Sequence, residues 1–139
     1  MASFNKFQPF VANLASGVFN LGADTLKIML SDAAPSATNN KKSDITEISA
    51  GNGYTAGGTQ ATLVSSAQSS GTYALKLNNV TFTASAGSIG PFRYCVLYNS
   101  TPASGNLVGY YDYGTALTIT AGNSFQVQFD PTNGVLQLA

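Results

Sequence analysis

The sequence predicts an all-β fold: a single-domain antiparallel β-sandwich or jelly roll of about eight or nine strands, with a short N-terminal helix. Three observations carry this prediction. After Gly22, apolar and polar residues alternate along most of the chain, which is the period of strands with one face buried. Turn-forming pairs recur at roughly the 8–12-residue spacing of sandwiches and barrels. No strand–helix–strand unit appears, which excludes the usual nucleotide-binding α/β sheets. The 139 residues fit one domain. A chain of that length can bury about two thirds of its unfolded surface, so it needs no staples.

Residues 1–22 stand apart as a Phe-rich helix or arm. Phe4, Phe7, Val11, Leu14 and Val18 recur at helical spacing, bordered by Phe10 and Phe19. Pro9 cannot sit inside a helix but is tolerated in its first turn, so the helix is placed at 8–16. Gly17 or Gly22 ends it. The β-sandwich follows over 23–139. Leu26, Ile28 and Leu30 share one face of a first strand, 26–30, and Thr25, Lys27 and Met29 share the other. Residues 31–58 are irregular and rich in Gly, Asn and Pro, and they read as a surface excursion. Within it, Asp44 and Glu47 have the spacing of an N-cap and its capping-box partner around one helical turn.

Strands are then expected at 61–65, 72–77, 80–84, 93–99, 107–112, 116–120, 124–129 and 135–138. They are separated by Ser70-Gly71, Asn78-Asn79, Ala86-Gly87, Gly90-Pro91, Ser104-Gly105, Gly114, Gly122-Asn123 and Asn133-Gly134. Asn133-Gly134 has the composition of a type I′ hairpin turn. Residues 94–98, Tyr-Cys-Val-Leu-Tyr, are apolar on both faces, so that strand is central or one of its faces meets another subunit.

Composition narrows the chemistry. Charged residues are 9% of the chain, six basic and six acidic, against 15 Ser, 14 Thr, 12 Asn and 6 Gln. The polar surface is therefore mainly hydroxyls and amides, and zero net charge favours association. Nothing in this balance attracts nucleic acid. With no His, the commonest general base and metal ligand is missing. One Cys allows neither an internal disulfide nor a thiolate zinc site. No apolar run spans a membrane and no leader h-region opens the sequence, so folding in a cytoplasm is expected.

Asp24, Asp32, Asp112 and Asp130 sit beside turn residues, where capping roles are expected. Cys95 lies in the apolar strand with no base to activate it, which marks a buried structural thiol. Gly51-Asn-Gly53 and Gly57-Gly58 lack the lysine and following helix of a phosphate loop. Backbone freedom explains them better. No catalytic, cofactor-binding or metal-ligating residue is expected. Gly109-Tyr-Tyr-Asp-Tyr-Gly114 has the Tyr–Gly composition of contact surfaces.

Several segments resemble a known group. Residues 20–35 (NLGADTLKIMLSDAAP), 44–58 (DITEISAGNGYTAGG), 90–98 (GPFRYCVLY) and 125–136 (FQVQFDPTNGVL) resemble small β-rich virion proteins of tailed bacteriophages. The likeness runs from about Phe4 to Leu138 and is greatest to the capsid cement or decoration type. That resemblance implies a non-enzymatic jelly roll on the outer surface of the phage head, made in the host cytoplasm. It implies binding to the major capsid protein and self-association as a dimer or trimer, without nucleic acid, membrane or cofactor. The alternative is a tail or fibre component that binds a receptor or glycan. Candidate contact residues are Phe4, Phe7, Phe10, Val11 and Leu14 in the N-terminal segment, and Ile45 and Tyr54 in the excursion. Tyr110, Tyr111 and Tyr113 complete the set.

Overall fold

A strand that is apolar on both faces needs cover on both sides and a neighbour on each edge. The computed structural model, which describes residues 2–139, supplies all four to the 94–98 run. These residues lie within β7 (Ile89–Asn99), at the centre of a five-stranded antiparallel sheet. On one side of it is β8 (Leu107–Ile119), whose other edge pairs with β1 (Phe4–Lys6). On the other side is β2 (Leu26–Ser31), which pairs in turn with β3 (Thr59–Ala61).

A three-stranded sheet holds β4 (Leu63–Ser69), β5 (Thr72–Leu77) and β10 (Leu136–Leu138), with β5 in the middle. A two-stranded sheet pairs β6 (Val80–Thr83) with β9 (Ser124–Val127). The result is an all-β sandwich with one short α-helix, α1 (Gln8–Ala15).

The main core forms where the alternating strands turn their apolar faces inward. Leu26, Ile28 and Leu30 join Cys95, Leu97 and Val108 from the five-stranded sheet. Against them pack Leu75, Leu77, Val80, Phe82 and Val127 from the smaller sheets. α1 reaches this core through Phe10, whose ring meets Phe19 edge-on with centroids 4.9 Å apart. The helix ends as its sequence requires. Gly17 has φ +81°, the Gly17 N–H donates to the Leu14 carbonyl, and the Val18 N–H donates to the Asn13 carbonyl. This is the paired-bond glycine stop.

The opposite face of the five-stranded sheet holds a second cluster: Phe7, Met29, Val96, Tyr98 and Leu107, with Ile45 and Tyr110 against it. Of the two alternatives for the 94–98 run, the central position holds. Phe7 and Ile45 of the same chain pack on the strand's second face.

Five expectations need correction. Residues 4–6 form an edge strand, since Pro9 confines the helix to the residues after Phe7 and leaves the preceding ones free to pair with β8. The run expected at 61–65 divides at Thr62, where the chain leaves the five-stranded sheet for the three-stranded one and the Thr62 carbonyl accepts the Asn78 N–H. Gly114 does not separate two strands: β8 continues through it, and Tyr113 to Ala116 bulge out opposite Arg93. Gly90-Pro91 likewise forms a bulge within β7, opposite Thr118. Asn133-Gly134 is not a hairpin turn. The strands on either side of it belong to different sheets, and only Gly134 has positive φ. Asp130 holds this crossing by accepting the Thr132 and Asn133 N–H groups.

Candidate interaction surfaces

Ten side chains were expected at contacts, and the fold divides them. Phe7, Phe10, Tyr54 and Tyr111 are buried, at 0%, 4%, 3% and 5% exposure. Their place is the chain's own core, so they are corrected from contact to packing residues. The reason is that α1 and β1 are anchored. The Phe7 N–H donates to the Val108 carbonyl, the Gln8 N–H donates to the Ala37 carbonyl, and Phe10 turns beneath the helix. Phe4 is half-buried beside Tyr111, with ring centroids 5.3 Å apart. Tyr110 is half-buried between Phe7 and Tyr94, and Tyr113 meets Phe125 edge-on at 5.2 Å. The Tyr cluster and the N-terminal Phe residues are thus brought together, as partners of one another.

Val11 is the exposed member, at 51%. Val18 beyond the helix is 41% exposed, and Leu14 between them is half-buried. Below Leu14 a shallow groove of about 520 Å³ runs past Phe19, Leu21, Tyr73 and Leu138. The helical spacing of Val11, Leu14 and Val18 was legible in the sequence. The face of the stripe that looks outward was not.

The excursion is tied down by a polar network. The Tyr54 hydroxyl donates to Glu47 Oε2 at 2.6 Å and accepts the Leu30 N–H at 3.0 Å. The same Glu47 oxygen accepts the Gly57 N–H at 2.7 Å. The Tyr98 hydroxyl donates to the Gly57 carbonyl at 2.5 Å, and Lys42 Nζ lies 5.5 Å from the Tyr98 ring centroid. Burial and the adjacent Glu47 push the Tyr54 phenol well above its ordinary range. Tyr54 therefore stays a neutral donor and acceptor at neutral pH.

Asp44 closes a 3₁₀ turn (Lys42–Asp44) rather than starting one, because its carboxylate reaches back to the Asn40 and Lys41 N–H groups. Those bonds hold its pKa below the usual carboxylate range. Over this part of the surface lies a depression of about 510 Å³ lined by Met29, Lys41, Lys42, Ile45, Glu47 and Ser104. Ile45 forms part of its half-buried floor. Sequence reasoning missed this network. Its only trace was the count of charges: five of the chain's twelve fall within 31–58.

Asp24, Asp112 and Asp130 are engaged locally. Asp24 accepts from the Asn20 N–H and from Asn99 Nδ2. Asp112 pairs with Arg93 through both oxygens, at 2.7 and 3.1 Å, and accepts the Gly114 N–H. The guanidinium holds the Asp112 carboxyl below its ordinary range. Burial pushes the Cys95 thiol up to about 12. Among the described residues, no cluster of three or more His, Cys, Asp or Glu is placed to hold a metal ion. No helix among them is long and apolar enough to cross a membrane. Comparison with protein-family models, curated proteins and solved structures finds no match to the chain.

Proposed function

We propose that the chain is a non-enzymatic structural protein of a tailed-phage virion. In this reading it is a cement or decoration protein that binds the major capsid protein on the outside of the head and stabilises the shell. It is made in the host cytoplasm and acts as a dimer or trimer. The observation that carries the reading is the outward stripe of Val11, Leu14 and Val18. Val11 and Leu14 lie on α1 and Val18 just beyond its end, with Phe10 and Phe19 bracing the segment from below, in a molecule whose polar surface is mainly uncharged.

Such a surface can meet a partner by burying apolar area and exchanging hydroxyl and amide hydrogen bonds, without stripping water from charges. Each contact contributes modestly, and a symmetric shell multiplies it by copy number. The segment resemblance supplies the setting.

The test is copy number and position on purified particles, by gel densitometry and cryo-electron microscopy, for the native chain and Val11→Asp. Hundreds of copies on the shell lattice are expected for the native chain. Val11→Asp is expected to fold with an unchanged melting temperature and to lose at least tenfold in occupancy. Full occupancy by Val11→Asp would remove the helix from the interface. A handful of copies at the tail would replace this reading with receptor or glycan binding, with the surface around Tyr110 and Tyr113 the next to test. Deleting residues 2–7 would be a poorer experiment, because it removes β1 and the buried Phe7 together.

A further inference from the structure

The longest strand at a sheet edge is β4, with seven residues; β1, β3 and β10 have three each, and β6 and β9 have four. One side of β4 pairs with β5, and among the described residues no strand pairs with the other side. Alternate residues along such an edge turn their N–H and C=O groups outward. Among the described residues, no loop backbone takes up those of Val64 to Ser69.

Exposed edges are commonly guarded by lysine, proline or inward-pointing charge. β4 reads LVSSAQS and has none of these. It lies within 28 consecutive residues, 48–75, that carry no charge. Its one irregularity is the register shift at Val64, near its start, after which Ser65 to Ser69 pair regularly with β5.

We infer that this edge binds the same edge of a second copy of the chain. The two β4 strands run antiparallel about a two-fold axis and join two three-stranded sheets into one of six strands. Self-pairing is favoured by the residues themselves. A two-fold axis sets a strand against itself, so any charge near the axis meets its like. Here there is none to meet. Ser65, Ser66 and Ala67 at the middle carry small side chains that do not crowd their counterparts across the axis. Leu63 and Val64, 38% and 55% exposed, gain cover from the partner strand. The neutral molecule adds no net repulsion. The inference deepens the self-association half of the proposed function and needs no capsid.

The test uses the purified full chain, by sedimentation equilibrium and by amide hydrogen exchange over a range of concentrations. A dimer is expected, with amides of 65–69 exchanging more slowly as concentration rises. Ala67→Lys, at an exposed position, is expected to raise the dimer dissociation constant at least tenfold and to keep the native circular dichroism. Ala67→Ser is expected to remain dimeric. A monomer at every concentration overturns the pairing, and so does an oligomer whose 65–69 amides exchange at a concentration-independent rate. Should Ala67→Lys misfold, the exchange measurement on the native chain decides alone. A monomer that still decorates shells would overturn this pairing and leave capsid binding intact.

Discussion

Single residues show how a chain so poor in charge uses the few charges it has. Glu47 accepts hydrogen bonds from a phenol and a backbone amide, and Asp24, Asp44, Asp112 and Asp130 all accept from backbone N–H groups. The capping roles of Asp24, Asp112 and Asp130 followed from their neighbours in sequence; Asp32 was expected in the same role and makes no such bond among the described residues. The role of Glu47 did not, because its partners Tyr54 and Gly57 are reached only through the path of the loop.

Cys95 gives a direct test at this scale. A buried thiol held at about 12 stays protonated in the folded chain, whereas an unfolded thiol ionises near 8.5. The folded state therefore binds the extra proton between those values, and stability falls as pH rises through that window. Tyr54, Tyr111 and Tyr113, also raised by burial, add to the fall above about pH 10. The urea midpoint is expected to drop steadily from pH 8.5 to 11. Iodoacetamide at pH 8 is expected to leave native Cys95 unmodified by mass spectrometry and to alkylate it fully in urea. A flat midpoint or a native thiol that reacts quickly would contradict the burial.

Among the elements, the strands with clean alternation were the legible ones: β5 was placed at its full bounds, and β2 to within one residue. What the pattern could not separate was a bulge from a turn, since both use glycine. Gly114 and Gly90-Pro91 read as chain reversals and are bulges. The excursion was legible as irregular, but not as a cover for the second face of the sheet. That task fixes Gly58, whose φ is +81° and where an added Cβ would stand 1.8 Å from the Ile28 carbonyl oxygen. Gly58→Ala is expected to cost more than about 1 kcal/mol, measured by urea unfolding, since both the backbone angle and the approach to β2 oppose it. Gly51→Ala is the control: its φ is also positive, but nothing lies within 4 Å of the added carbon. Equal losses at the two positions would mean that the close approach to β2 does not matter.

For the whole molecule, alternation and turn spacing were enough to give the fold class, but not the assignment of strands to sheets. Phe4 pairs with Tyr111, and Leu26 pairs with Asn99. Such distant partners leave no local mark. Both apolar clusters share the five-stranded sheet, with Met29 on one face of β2 and Ile28 and Leu30 on the other. Each cluster therefore loses one of its walls if the five-stranded sheet comes apart. Urea unfolding followed by tyrosine fluorescence and by far-ultraviolet circular dichroism is expected to give coincident curves. Separated midpoints would show that the sheets unfold independently.

The cover over the second face also has a use in engineering. It is pinned near Glu47 and Gly57, while Ser49 and Ala50 between those pins are exposed. A foreign peptide spliced between Ser49 and Ala50 would leave from the exposed stretch between the Ile48 N–H bond to the Leu30 carbonyl and the Gly51–Tyr54 bridge, and those bonds would anchor its two ends. The same anchoring that closes the sheet thus makes the chain a carrier for displayed sequence.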